Sequence, residues 1–160
     1  MIEPRLLDQA ESLVVLTVEE RDKLADLLER VTYEAGRALI LEGQRAPGLF
    51  MLLGGQLQVE RTLGGVTDRT LATDIPMGEW FGQVSVIDGL PATASVVAAD
   101  TVEVAYMSRA DFFALLAEGD ALGTRLLRAL LRNLSTQLAR VNDVLVDLHA
   151  QHDALARADA

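Results

Sequence analysis

Between Val31 and Gly89 the chain is broken by glycine at positions 36, 43, 48, 54, 55, 64, 65, 78, 82 and 89. The apolar or alternating runs between them are too short for helices of ordinary length. They are the right length for strands that turn back on one another, the pattern of an antiparallel sandwich or barrel. The clearest unit is Gln56-Leu57-Gln58-Val59-Glu60-Arg61, followed by Gly64-Gly65 and then Val66-Thr67-Asp68-Arg69-Thr70-Leu71. Apolar residues alternate on its first arm, which predicts a β-hairpin with a loose tip. A second run of strands is predicted over 94–98 and 102–107.

Helices are expected on both flanks. Thr17 stands three residues before Glu20, the spacing at which each side chain satisfies a free backbone N–H at a helix start. Leu24, Leu27, Leu28 and Val31 follow at helical spacing, so an amphipathic helix is predicted over 18–30. Ser108, with Asp111 three positions on, is expected to cap a helix over 109–118. Gly119 ends that helix, and a last one begins near Asp120.

The last helix has the strongest periodicity in the chain. Leu127, Leu131, Leu134, Leu138, Val141, Leu145 and Leu148 alternate steps of four and three, the repeat that keeps one seam facing a partner helix. Leu130 and Val144 flank the seam. A helix of roughly 30 residues runs ~45 Å, more than a small barrel covers along one side. A second copy is therefore the expected partner, and the seven seam residues the expected dimer interface. The rival reading folds the helix wholly against its own barrel. His149 and His152 sit at the far end of this helix, where surface histidines on a fraying terminus are expected.

With 160 residues, half of them hydrophobic, the chain has room for one domain with a real core. The barrel and its N-terminal helix are assigned to 1–119, and the dimerisation helix of the same unit to 120–155. A net charge of −10 argues against neutralising a phosphate backbone. The chain has no cysteine, which removes disulfides, thiolate metal sites and a cysteine nucleophile. Both histidines lie in the last helix, so the strands offer no cupin-type metal cluster, no common haem ligand and no base for a Ser-His-Asp triad. The double glycines are turns, since no G-x-G-x-x-G joins a strand to a helix. The start of the chain mixes Glu3, Asp8 and Glu11 among apolar residues, unlike a signal peptide, and no apolar run is long enough to span a membrane. A cytoplasmic, non-enzymatic protein without metal or cofactor is expected.

The segment Met77-Gly78-Glu79-Trp80-Phe81-Gly82-Gln83-Val84-Ser85-Val86-Ile87-Asp88-Gly89-Leu90-Pro91-Ala92-Thr93-Ala94-Ser95-Val96 resembles, without a gap, the phosphate-binding cassette G-x-x-F-G-E-L-A-L-x-x-x-x-P-R-A-A-T-V. That cassette marks the cyclic nucleotide-binding domain family, to which catabolite activator protein and the regulatory subunits of cAMP-dependent kinase belong. Tyr33-x-x-Gly36, Leu39-Ile40-x-Glu42-Gly43 and Leu49-Phe50-x-Leu52-Leu53-x-Gly55 extend the resemblance over roughly residues 14 to 140. It implies a mainly β fold: a β-jelly-roll barrel of the cyclic-nucleotide-binding type with an N-terminal helix and a long C-terminal dimerisation helix.

In the family a glutamate accepts a hydrogen bond from the ribose 2′-hydroxyl and an arginine fork pairs with the cyclic phosphate. Here Gln83 stands at the glutamate position and Ala92 at the arginine position. Phe81-Gly82 is expected to open a short helix whose free N–H groups attract an anion, with glycine allowing close approach. Gln83 keeps an acceptor oxygen without charge, whereas Ala92 offers a phosphate nothing. Loss of the guanidinium predicts cAMP affinity weaker by roughly one to three orders of magnitude, and Glu79 and Asp88 add unfavourable charge. Arg45 or Arg69 from neighbouring loops is the expected source of any compensating cation.

The expected pocket comprises Phe81, Gly82, Gln83, Val84, Ser85, Ala92, Thr93 and Gln137. Gln137 falls where the family presents polar contacts to the base, although a solvated or interchain glutamine is the plainer reading. Trp80 and Phe81 are expected as core anchors. About a dozen residues follow Leu148, too few for the helix-turn-helix of DNA-binding relatives, so no direct DNA contact is expected. Two functions stay open: a homodimeric sensor for a cyclic nucleotide or cyclic dinucleotide, or a vestigial-pocket module that dimerises and engages an unidentified protein partner.

Overall fold

A computed structural model describes residues 1–68 and 75–158. Two 3-10 turns, Pro4–Gln9 and Glu11–Val15, lead into α1 (Val18–Leu27). The strands follow as β1 (Glu29–Tyr33), β2 (Ala38–Ile40), β3 (Gly48–Gly54), β4 (Leu57–Leu63), β5 (Val66–Asp68) and β6 (Trp80–Phe81). A short helix, α2 (Gln83–Asp88), separates these from β7 (Ser95–Ala98) and β8 (Val102–Ser108). Two helices close the chain, α3 (Arg109–Ala117) and α4 (Ala121–Ala158).

The strands form two four-stranded sheets, ordered β1-β8-β3-β6 and β2-β7-β4-β5, and every pairing is antiparallel. Leu49, Met51, Val104 and Met107 of the first sheet share one buried cluster with Ile40, Leu57, Val96 and Ala98 of the second. This is the two-layer β core of a jelly roll, with helices at its ends. β3 is buried from Gly48 to Leu53, and α2 and α3 pack against it in addition to its neighbouring strands. Its unbroken run Leu49-Phe50-Met51-Leu52-Leu53 is the sequence form of a strand covered on both sides.

The capping box at Thr17 forms as the spacing predicts. Glu20 N–H donates to Thr17 Oγ1 at 3.3 Å, and Thr17 N–H donates to Glu20 Oε2 at 2.8 Å. The helix does not reach residue 30, however. Leu28 is already extended, and Glu29 to Tyr33 pair with Tyr106 to Val102 of β8. The apolar spacing carries across this boundary because Val31, a half-buried strand residue, happens to fall three positions after Leu28. The ladder with β8 decides the conformation there. The 3-10 turns ahead of α1 are a further element outside the sequence reading; they bury Leu7, Ala10 and Leu13.

The hairpin tip is tight instead of loose. Leu63 pairs with Val66, and Gly64 and Gly65 both take positive φ, 60° and 84°, the two-residue turn that matches strand twist. Arg69, Thr70 and Leu71, assigned above to the returning arm, lie outside the described residues. Ser108 caps α3 through the Asp111 N–H at 3.1 Å.

α4 is 38 residues long, about 57 Å at 1.5 Å per residue. Leu122, Leu126, Ala129 and Leu130 sink into the core, against the second 3-10 turn and α3. Leu130 therefore belongs to the barrel and not to the flank of the seam. Leu131, Leu138, Leu145 and Leu148 are 62%, 62%, 55% and 55% exposed, so the helix is not folded wholly against its own barrel. Leu127 and Leu134 are half-buried, and His149 and His152 are exposed. Among the described residues no helix is long and apolar enough to cross a membrane.

Candidate functional site

α2 sits where it does because of Gly82, which caps it in the left-handed region at φ 83°. A Cβ there would lie 2.8 Å from the Gly48 carbonyl oxygen and 3.2 Å from Ile40 Cδ1. Ahead of it, Trp80 and Phe81 pair with Met51 and Phe50 of β3, and the Phe81 ring stacks on Phe50 with centroids 5.2 Å apart. Both side chains are buried anchors. Ser85 pins the helix from the other side: its Oγ accepts from Ala46 N–H at 2.9 Å and donates to the Leu90 carbonyl at 2.6 Å. The returning loop is held by Ala92, whose N–H donates to Gln44 O and whose carbonyl accepts from Gly43 N–H, each at 2.8 Å.

A face of α4 closes over this unit. Asn133 Nδ2 donates to the Trp80 carbonyl at 3.0 Å while Trp80 N–H donates to Asn133 Oδ1 at 3.3 Å. One turn on, Gln137 Nε2 donates to the same carbonyl at 2.9 Å and Gln137 Oε1 accepts from Gln83 Nε2 at 3.4 Å. At the end of the row the Arg140 guanidinium pairs with the Glu79 carboxylate. The plain reading of Gln137 as solvated or interchain is thus corrected. Its amide donates within the chain, beside that of Asn133, to the Trp80 carbonyl.

Between α2, the returning loop and α4 lies a cavity of about 380 Å³, within the range of small-molecule sites. All eight residues expected around a pocket, Phe81, Gly82, Gln83, Val84, Ser85, Ala92, Thr93 and Gln137, border it. Their chemistry is unequal. Ser85 has spent its hydroxyl on the scaffold, Val84 and Thr93 stand at the exposed lip, and Ala92 presents only a methyl group. Gln83 is 2% exposed, and its carbonyl oxygen accepts no hydrogen bond among the described residues, leaving one acceptor for a ligand. Ile40, Val59 and Val96 supply an apolar floor.

Among the described residues, the charged groups bordering the cavity are Glu79, Asp88 and Arg140. Arg45 is exposed and does not border it, and Arg69 lies outside the described residues. The cation comes instead from α4, a residue the sequence reading missed. Its signal is a second stripe, Leu126, Leu130, Asn133, Gln137 and Arg140, which runs one position ahead of the leucine seam in the same alternation of four and three. Val141, a seam residue, also borders the cavity, so the seam and the cavity meet on α4.

The two antiparallel sheets form a jelly roll that carries a glycine-capped short helix and, across the cavity, a long C-terminal helix. The family model for the cyclic nucleotide-binding domain matches residues 30–118. A cAMP-dependent protein kinase regulatory subunit of Debaryomyces hansenii is 34% identical over 110 residues, 69% of this chain and 23% of that one. A cyclic AMP receptor protein of Thermus thermophilus is 32% identical over 125 residues, covering 78% of this chain and 54% of its own length. The solved cyclic nucleotide-binding domain of Methylobacillus flagellatus superposes with a TM-score of 0.78 at 24% identity, over 89% of this chain and 80% of that one. The chain belongs to the cyclic nucleotide-binding domain family, and its curated relatives are regulatory proteins of which it spans about half the length or less.

Proposed function

We propose that the chain is a non-enzymatic, cytoplasmic regulatory module that acts as a homodimer through α4 and takes a small ligand in the cavity between α2 and that helix. Cyclic AMP is a weak ligand here, because Ala92 and Gln83 stand where the family carries its phosphate arginine and ribose glutamate. The observation that carries the reading is the cavity itself: it opens beside the glycine-capped α2, and Ala92 lends its border only a methyl group. A ligand that donates to the free Gln83 oxygen sits beside the Gln83–Gln137 hydrogen bond that ties α2 to α4. Occupancy then biases α4, and with it the seam, between two arrangements.

Calorimetric titration with cAMP, cGMP and cyclic dinucleotides tests this. Binding of one of them at high micromolar to millimolar concentration supports it, and no heat with any of them removes it. The pairing of lining groups with one another, Gln83 with Gln137 and Glu79 with Arg140, favours the second reading, a vestigial pocket on a dimerising interaction module. In that case no ligand of this set binds, while the dimer remains and a protein partner co-purifies with it.

A further inference from the structure

Arg140 brings a guanidinium to the cavity that Ala92 also borders, and it is paired there with the Glu79 carboxylate. The pair is asymmetric: the Glu79 side chain is 10% exposed and that of Arg140 38%. The carboxylate is enclosed, and the cation can be reached from solvent. An arginine has five donors in one plane, yet the hydrogen bond to Glu79 is the one side-chain hydrogen bond Arg140 makes among the described residues. Its Nε–H is buried without a partner, a loss that an arriving oxygen would make good. Both residues border the cavity that also contains Gln83 and Ala92.

We propose that Arg140 is the phosphate-pairing residue of this site and that Glu79 is its internal competitor: an anionic ligand binds by taking the guanidinium from the carboxylate. The proposal rests on the reading of the cavity as a cyclic-nucleotide-type pocket, and it names both the ligand charge the pocket selects and the residue that sets its affinity. Exchanging one carboxylate for one phosphate at the same fork leaves little net gain, since the released carboxylate must find new partners. Glu79 and Arg140 also border a second cleft of about 310 Å³, together with Arg132 and Glu11. Arg132 has no ion pair among the described residues, so a displaced Glu79 meets a cation there. Weak binding by the native chain follows from this competition as well as from the alanine at position 92.

The test is a double-mutant cycle read by calorimetric titration of cAMP into the native protein, Glu79→Gln, Arg140→Gln and the combined variant, each first checked by thermal melting. Glu79→Gln should bind cAMP at least about tenfold more tightly than the native chain, since it frees a charged fork for the phosphate. The gain should disappear when Arg140→Gln is added. Failure of Glu79→Gln to gain affinity, or survival of the gain in the combined variant, would overturn the proposal; survival would mean that removing a negative charge is sufficient.

A Gln83→Glu/Ala92→Arg protein serves as the reference. If it binds cAMP and Glu79→Gln does not, the role of Arg140 fails while the pocket reading stands. If neither binds, both fail. Should Glu79→Gln not fold, the Arg140 Nε–H resonance of the native protein, assigned by its loss in Arg140→Gln, gives the answer. It should shift at millimolar cAMP, and an unmoved resonance rejects the proposal.

Discussion

At Gly82 the absence of a side chain determines whether α2 can sit over the sheet. An alanine there must hold a left-handed backbone, at a cost of about 1–2 kcal/mol, and its methyl would meet the Gly48 carbonyl at 2.8 Å. Backbone cannot yield as a flexible side chain does, so Gly82→Ala should lower the unfolding free energy by more than that cost, as a denaturant titration will show. Ser85→Ala should cost about 1–3 kcal/mol, because it leaves the Ala46 N–H and the Leu90 carbonyl without their partner. Far from the cavity, Glu20 gives a pH-dependent check. The Thr17 backbone N–H, with Arg125 beside it, holds the Glu20 carboxyl below its ordinary value. A carboxyl lowered by folding adds stability above its unfolded pKa and loses it as pH falls through the folded one. Glu20→Gln should therefore melt below the native protein at neutral pH, and the two should converge in acid below the carboxylate range.

α4 is the element in which most of the functional reading is concentrated, and it carries two stripes with separate duties. Leu126 and Leu130 are fully buried in the barrel, and Leu126→Ala should cost about 2–5 kcal/mol of stability. Leu138 and Leu145 face outward. In the homodimer proposed above, Leu138→Glu with Leu145→Glu should halve the mass seen by light scattering while leaving the monomer folded. The leucine seam could be read from sequence because a strict repeat needs no tertiary knowledge. Of the second stripe, Gln137 was placed in the pocket by the family resemblance, whereas Asn133 and Arg140 look like solvated residues until the Trp80 carbonyl and the Glu79 carboxylate are placed beneath them. The same limit applied at Val31, where a helical spacing ran on into a strand that only the ladder with β8 defines. The turns at the N-terminus were missed for a related reason: Leu7 and Leu13 fit neither the helical nor the strand period. The glycine-bounded strands, by contrast, were legible, since turn chemistry is local.

For the molecule as a whole, the jelly roll supplies a rigid floor, α2 a glycine-capped wall and α4 a lid whose outer face is the proposed dimer seam. Val141 belongs both to that seam and to the cavity border, which gives ligand and partner a shared residue through which each can bias the other. Ligand saturation should accordingly change the dimer dissociation constant, and a constant that does not move in sedimentation at millimolar ligand would uncouple the two sites. In the function proposed above, the pocket keeps the family's shape but lacks its cassette guanidinium. Calorimetric titration of cAMP into the Gln83→Glu/Ala92→Arg variant beside the native chain tests it most directly. The variant should bind about tenfold more tightly or better, the yield of restored charge-assisted bonds to phosphate and ribose. Equal or absent binding in both proteins would contradict it.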